Sequence, residues 1–272
     1  MGKFSLLRPR VAWFKAKAAA ERAIHLDETL SEAHQSLASA LLLQWSWSAA
    51  EEEYQRAIAL NPNNAVAHQG YGYLLSGRGQ SDAAIREMRR ALELDPLSPN
   101  KQNSLAATLH RAGRYDEALH YFSDVPDPDL NSEARHRRIA AIYERKGMLR
   151  EAMAEWLMTL RLGGKEEVAA SVERDYRASG YAVAKRTYLW GDLRARNARP
   201  VNIAGDYALL GERDSAFAWL ERAFRERMAV LVFLAVDERF EALRSDTRFR
   251  DLARRMGLPD TAVQDPVLLR TH

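Results

Sequence analysis

Residues 65–98 read AVAHQGYGYLLSGRGQSDAAIREMRRALELDPLS, and this stretch decides how the rest of the chain folds. Small and apolar residues recur three or four positions apart in each half, which is typical of a helix with one buried face. Gly77 and Gly79 separate the halves and Pro96 follows the second, and both residue types end helices. The stretch therefore predicts two helices joined by a short turn.

The same pattern recurs along the chain at a step of 34 residues. A bulky residue also follows each repeated alanine by four positions. The repeated pairs are Ala50 with Tyr54, Ala84 with Met88, Ala118 with Phe122 and Ala152 with Trp156. A fixed period of this size indicates stacked structural repeats, in which each unit buries its apolar face against its neighbours. The sequence therefore predicts an all-α array of paired helices with a continuous core.

The 34-residue period, the small residue in each helix and the late proline together resemble the tetratricopeptide repeat (TPR). The resemblance implies an all-α, right-handed α-α superhelix (a TPR solenoid) that ends in C-terminal capping helices. Full units are expected at about 31–64, 65–98, 99–132, 133–164, 165–199 and 200–228, within an array over 16–228. An N-terminal segment (1–15) that reads as a truncated end, a cap (229–260) and a tail (261–272) complete the predicted organisation.

Several local features are expected inside this frame. Residues 229–236 are continuously apolar, which favours a short buried helix over a strand in an all-helical stack. Ser31, Ser48 with Glu51, and Asp246 have the residue types and spacing of helix N-caps. The prolines in residues 124–129 predict an acidic loop.

The six tryptophans also give expectations. Trp45 and Trp47 lie in the turn of the first full unit, so one of the two is expected to be partly exposed. The others are expected to pack in the core; they are Trp13, Trp156, Trp190 and Trp219.

A second resemblance covers about residues 15–260. It rests on residues 15–34, the WSW at 45–47, the phrase ALELDPLSP, and the closing RFEALRSDTRFRDLARRMGLP. These resemble a TPR module that forms the C-terminal half of bacterial winged-helix regulators, serine/threonine kinases and nucleotide cyclases. This resemblance implies a cytoplasmic bacterial signalling module, which works beside an N-terminal output domain that residues 1–15 are too short to contain.

Composition excludes several classes of function. There is no cysteine, so disulfides, zinc–thiolate sites and thiol catalysis are ruled out. The net charge is only +3, which does not favour nucleic-acid binding. His34, His68 and His136 occupy equivalent positions in three units, too far apart to share a metal ion, and are expected to be packing or groove-edge residues of the repeat. No catalytic triad or phosphate-binding loop is present, so we expect neither an enzyme nor a cofactor or metal site.

The remaining candidate site is the concave groove that the first helices of TPR units line. Because the third and fourth units are basic there, guanidinium groups suit an acidic segment or a C-terminal carboxylate of a partner protein or peptide. The specialised carboxylate clamp of chaperone-binding TPR proteins is matched clearly only at Asn103. The groove residues implied by the resemblance are Gln35, Ser39, Gln69, Tyr73, Asn103, His110, Arg111, Arg137, Arg138, Glu144 and Arg145.

The sequence is compatible with three functions. The first is a protein-interaction scaffold or sensor module that binds a peptide or partner domain in the groove. The second is the effector-sensing fragment of a bacterial transcriptional regulator or signalling enzyme whose output domain is absent. The third and weakest is direct nucleic-acid binding through the basic helices in residues 3–22.

Overall fold

A computed structural model describes residues 9–123, 133–194 and 199–258, and every regular element within these ranges is helical. The α-helices are α1 (Pro9–Leu26), α2 (Ser31–Leu43), α3 (Trp47–Leu60), α4 (Ala65–Gly77), α5 (Ser81–Leu94), α6 (Pro99–Arg111), α7 (Tyr115–Ser123), α8 (Glu133–Arg145), α9 (Leu149–Leu162), α10 (Glu166–Ser179), α11 (Tyr181–Leu193), α12 (Pro200–Leu209), α13 (Arg213–Arg225) and α14 (Thr247–Arg255). Two short 3-10 helices, Ala229–Phe233 and Glu238–Leu243, lie between α13 and α14. The all-α class is confirmed, and residues 229–236 hold a helix rather than a strand.

The chain divides into two compact units. The first contains the described residues up to Leu97 together with Ala223–Asp237 and the described residues from Arg244 onward. The second contains the described residues of Ser98–Arg222 together with Glu238–Leu243. The region after α13 therefore contributes two stretches to the first unit and one to the second. We call residues 229–236 the apolar segment and residues Glu238–Leu243 the acidic segment.

Paired helices build both units, as the repeat predicts. In the first unit α2 packs on α3 and α4 on α5, and in the second unit α6, α8 and α10 pack on the helices that follow them. The ladder alanines Ala50, Ala84, Ala118 and Ala152 are all 0% exposed, and their bulky partners are buried with them. The ladder continues at a slightly shorter step through the buried pairs Ala184 with Tyr188 and Ala216 with Leu220.

The turn between α2 and α3 departs from the other turns of the array. Gly79, Gly113, Gly147 and Gly211 have φ between 72° and 82°, a left-handed conformation that costs glycine little. Trp45 stands 34 residues before Gly79 and takes the same conformation, with φ 63°. A side chain in this conformation costs roughly 1–2 kcal/mol. Packing of the indole must therefore offset that strain.

The three predicted N-caps have different outcomes. Asp246 caps α14 by accepting a hydrogen bond from the Arg248 backbone nitrogen at 2.9 Å, as predicted. The cap prediction for Ser31 is wrong, because this residue is inside α2 and its hydroxyl donates to the Ala57 carbonyl at 2.9 Å. Ser48 also lies inside its helix, since α3 begins at Trp47.

Among the tryptophans, Trp156 is buried as expected, whereas Trp190 is 40% exposed, so the core prediction for Trp190 is wrong. Trp13 and Trp219 are half-buried. The acidic loop at 124–129, residues 1–8 and the tail at 261–272 lie outside the described residues.

Candidate functional site: the inner faces of the two units

The inner face of the first unit is formed by α2 and α4, and its polar residues bond to one another. The Gln35 side-chain amide donates to the Ser39 hydroxyl at 3.1 Å, and that hydroxyl lies 3.0 Å from the hydroxyl of Tyr54. Gln69 is buried, and its amide donates to the Tyr73 hydroxyl at 3.4 Å. These predicted groove residues therefore already have hydrogen-bond partners within the chain.

The apolar segment packs on this face. It contacts α2 and α4, and the rings of Phe233 and Tyr73 meet in a T-shaped arrangement with 5.9 Å between ring centroids. At Gly77 the approach is so close that a Cβ atom would stand 2.4 Å from the carbonyl oxygen of Val232. The segment's own buried side chains are Leu231, Val232, Leu234 and Ala235. This part of the inner face is therefore covered by the chain itself.

Both tryptophans of the α2–α3 turn help to hold the C-terminal region in the first unit. Phe224 stacks on Trp45 with 4.9 Å between centroids, and the Arg227 guanidinium lies 4.1 Å above the same indole. The Trp47 indole nitrogen donates to the Met256 carbonyl at 2.6 Å. Trp45 and Trp47 are 7% and 5% exposed, so the prediction that one would be partly exposed is wrong. The residues that cover them lie about 180 or more positions later, where no local pattern indicates them.

The inner face of the second unit carries the basic residues, and the acidic segment lies against them. Glu238 is held by His110, at 3.2 Å from Nε2, and by Arg145, at 3.2 Å from Nε. Another nitrogen of the same guanidinium, Nη2 of Arg145, donates to Glu241 at 2.5 Å. One guanidinium group thus grips two carboxylates that stand three residues apart.

The acidic segment also packs on α12. A Cβ at Gly205 would come within 2.9 Å of the Arg239 side chain, so the absence of a side chain there makes room for Arg239. The Arg239 guanidinium then donates to the Asn202 amide oxygen at 3.2 Å. Phe240 and Leu243 are 0% exposed. The segment therefore combines buried apolar residues with two glutamates on the basic face.

A buried ionic cluster lies deeper in the second unit. The Lys185 ammonium is 3.1 Å from a Glu144 carboxylate oxygen and 3.2 Å above the centre of the Trp156 ring. Burial lowers the pKa of Lys185 to about 8, and the Glu144 charge only partly opposes this. Tyr181 donates to the same carboxylate, and burial followed by that charge raises the pKa of Tyr181 well above its usual value. Glu144 therefore has two partners within the unit, although its side chain remains 27% exposed.

The other predicted groove residues are placed as follows. Arg137 lies 3.7 Å from the carboxylate of Asp206, which is 2% exposed. The Arg111 guanidinium donates to the Thr108 hydroxyl at 3.4 Å. Asn103 and Arg138 are half-buried. The structure thus assigns Gln35, Ser39, Gln69 and Tyr73 to the first unit and the remaining candidates to the second.

The three equivalent histidines share one packing arrangement. Each Nδ1 lies 2.5–2.6 Å from a carboxylate oxygen of the glutamate 19 residues later. The pairs are His34 with Glu53, His68 with Glu87, and His136 with Glu155. Each pair joins the first and second helix of its repeat. Within the described residues, no group of three or more histidine, aspartate and glutamate side chains could hold a metal ion.

Sequence reasoning missed the residues that occupy the second unit's inner face. Glu238, Glu241 and Asp206 were not candidates, because an acidic residue without a recognisable motif is ordinarily solvated surface. Lys185 and its partner come from different helices, and their pairing carries no periodic signal. By contrast, Glu53, Glu87 and Glu155 keep the 34-residue step of the histidines, so those pairs were within reach of the repeat pattern.

Together the paired helices and inner faces define a helical-repeat protein of TPR-like fold. A family described as tetratricopeptide repeat matches residues 53–86. The crystal structure of MamA is similar at 19% identity over 61% of this chain and 98% of that chain, with a TM-score of 0.51. A structure of MamA AMB-1 is similar at 23% identity over 56% of this chain and 90% of that one, with a TM-score of 0.50.

A third similar structure comes from the functional characterisation of Pseudomonas aeruginosa pilF. It shares 20% identity over 76% of this chain and 96% of that chain, with a TM-score of 0.51. No curated protein shows significant sequence similarity to this chain. At these identities the likeness shows the fold alone. Separately, no helix among the described residues is long and apolar enough to cross a membrane.

Proposed function

We propose that this chain is a protein-interaction scaffold that acts by binding rather than by catalysis. Its second unit would use the basic inner face of α6 and α8 to hold an acidic segment of a partner protein. Proteins of the tetratricopeptide-repeat class generally bind other proteins, and the repeat match at 53–86 and the TPR-like fold support this assignment. We expect the scaffold to work in the cytoplasm.

The observation that carries the proposal is the grip of His110 and Arg145 on two glutamates. An arginine fork that bonds two carboxylates favours acidic ligands and fixes their spacing. The Arg145 side chain is 40% exposed, so ion pairs there are screened and individually weak. Such contacts suit reversible recognition of a Glu-x-x-Glu sequence rather than permanent assembly.

A peptide array tests this proposal. The array carries acidic peptides with two glutamates at spacings of one to five residues, each with a glutamine counterpart. Wild-type protein should prefer the three-residue spacing, and Arg145→Glu should remove that preference by reversing the charge that selects it. Arg177→Glu is the matched control, because Arg177 is a 79% exposed arginine of the same unit, on α10. Equal binding by wild type and Arg145→Glu would contradict the proposal.

Arg137 is unsuitable for this test even though it is a predicted groove residue. Its partner Asp206 is buried, so reversing the charge of Arg137 would leave two like charges together inside the unit. Loss of binding would then report unfolding rather than recognition.

The alternative function uses the same face for a different purpose. Here the array senses a partner on behalf of a DNA-binding or catalytic output domain of a longer bacterial protein. The closing sequence RFEALRSDTRFRDLARRMGLP, which resembles the end of such modules, favours this reading. An adjoining upstream reading frame that encodes a winged helix would support this alternative. An upstream reading frame that encodes an unrelated protein would count against it.

A further inference from the structure

We propose that the acidic segment is an internal competitor for the partner site of the second unit. An incoming acidic peptide would bind by replacing Glu238–Leu243 on α6 and α8. This inference rests on the proposed function and names both its ligand class and its control. The segment supplies the very groups that such a ligand would use, and it already lies on the residues that would receive them.

The bound segment specifies the chemistry of the partner. Its glutamates face His110 and Arg145, while Phe240 and Leu243 are 0% exposed. A peptide that takes its place must provide both carboxylates and must also refill the space of the aromatic and aliphatic side chains. The partner class is therefore an acidic peptide with the pattern Glu-x-Phe-Glu-x-Leu, where other large apolar residues can stand for Phe and Leu.

The segment is also suited to exchange. It is a six-residue 3-10 helix, a form with poorer hydrogen-bond geometry than an α-helix. Its charged contacts are made at partly exposed side chains, since Glu241 is 45% exposed. The residues on either side of it belong to the first unit, so the released segment would stay tethered at both ends. Tethering keeps its local concentration high, and an external peptide must compete with it.

If the segment competes in this way, mutations in the segment and mutations in the basic face should have opposite effects on the binding of an external peptide. The apparent affinity for an external peptide is proportional to the fraction of molecules whose site is open. Weakening the internal segment should therefore strengthen binding of an external peptide, while weakening the basic face should reduce it. If the segment were purely structural, weakening it would not strengthen the binding of an external peptide.

The test uses a fluorescein-labelled peptide with the chain's own residues 236–245, VDERFEALRS, and the full-length protein. Fluorescence anisotropy should show Phe240→Ala binding this peptide at least about tenfold more tightly than wild type. Adding Arg145→Glu to Phe240→Ala should reverse the gain by at least about tenfold. A peptide with both glutamates changed to glutamine should bind Phe240→Ala at least about tenfold more weakly than the parent peptide.

Phe240→Ala removes a buried ring, so a second variant protects the test against misfolding. Glu238→Gln/Glu241→Gln weakens only the charged contacts and keeps the apolar residues. It should also bind the peptide more tightly than wild type, and helical circular dichroism confirms that each variant is folded. If the folded variants bind no more tightly than wild type, or bind equally well with Arg145→Glu, the inference is overturned.

The outcome also separates this inference from the proposed function. If acidic peptides on the array bind in an Arg145-dependent way but the variants show no gain, only the internal competition fails. If the chain's own peptide binds the variants through Arg145 but no array peptide binds, the internal contact stands and the proposed function fails.

Discussion

The two segments after α13 cover the inner faces of their units by different physical means. The apolar segment covers α2 and α4 through buried aliphatic side chains, ring packing on Tyr73 and close backbone approach at Gly77. The acidic segment adds ion pairs from Glu238 and Glu241 to its buried core. Apolar cover is lost only when the structure opens, whereas ion pairs respond to salt and to competing charges. This difference underlies our proposal that the contact in the second unit can exchange with an external peptide, whereas the contact in the first unit is structural.

The largest expected effect lies at the indole that holds the C-terminal region of the first unit. Trp45→Ala should lower the free energy of unfolding by about 3 kcal/mol or more, because it empties a buried aromatic site. Trp45→Gly should be about 1 kcal/mol more stable than Trp45→Ala, since glycine accepts the positive φ without strain. Urea denaturation measures both. If Trp45→Ala were as stable as Trp45→Gly or more stable, residue 45 would not have the positive φ described here.

The buried lysine of the second unit predicts how stability depends on pH. Its folded pKa of about 8 is below the ordinary value of 10.5, so between these values the unfolded chain binds more protons. Stability should therefore rise by about 2 kcal/mol from pH 8 to pH 10. Above pH 10 it should fall, because burial raises the pKa of Tyr54 to about 12 and the folded state then holds a proton that the unfolded state loses.

Lys185→Met supplies the control for that pH profile. The variant should lose the rise between pH 8 and pH 10 and keep the fall above it, as followed by thermal melts across the range. A rise of the same size in the variant would mean that another group causes it.

A smaller effect tests how closely the apolar segment approaches its unit. Gly77→Ala should destabilise by about 1–2 kcal/mol, because the new methyl group would stand 2.4 Å from the Val232 carbonyl. Gly72→Ala on the same helix is the matched control, since its new methyl group would meet the Met88 side chain at 3.0 Å and the Ala84 carbonyl oxygen at 3.3 Å, farther than the backbone oxygen at Gly77. Thermal denaturation should rank Gly77→Ala below Gly72→Ala. Stabilisation by both, as alanine gives in a free helix, would contradict the close approach.

The smallest effect sharpens the charged side of the comparison. Glu238→Gln/Glu241→Gln should cost at most about 1 kcal/mol at low salt, because the ion pairs are partly exposed. The cost should shrink as sodium chloride is raised to about 1 M, where the screening length is only about 3 Å. The Gly77→Ala cost should not shrink in the same way. Matching salt dependence in the two variants would remove the distinction between the segments.

The repeat pattern predicted the paired helices because its signal is local and recurs in four units. The alanine ladder and its bulky partners needed only their spacing to be recognised, and they are buried as a set. Even the unusual turn left a signal, since Trp45 occupies the place of Gly79 one period earlier. Sequence reasoning can therefore place the core of a repeat with little other information.

The covering of the inner faces could not be predicted in this way. The bonds from Trp47 to Met256 and from His110 to Glu238 join residues 209 and 128 positions apart. No period connects such residues, and nothing in the sequence reveals that the apolar run and the glutamates after it reach the groove. The partners that predicted groove residues have within the chain, such as Glu238 for His110, became visible only in three dimensions.

Hydrogen–deuterium exchange of the native chain tests the central claim, that residues 229–243 lie on the inner faces, most directly. Peptic peptides covering this region should exchange slowly, at rates close to those of the buried helix α4. Within the region, peptides from the acidic segment should exchange faster at high salt or when an acidic peptide is added, while those from the apolar segment should not change. Rapid exchange throughout 229–243 under all conditions would show that the inner faces are open and would contradict the account.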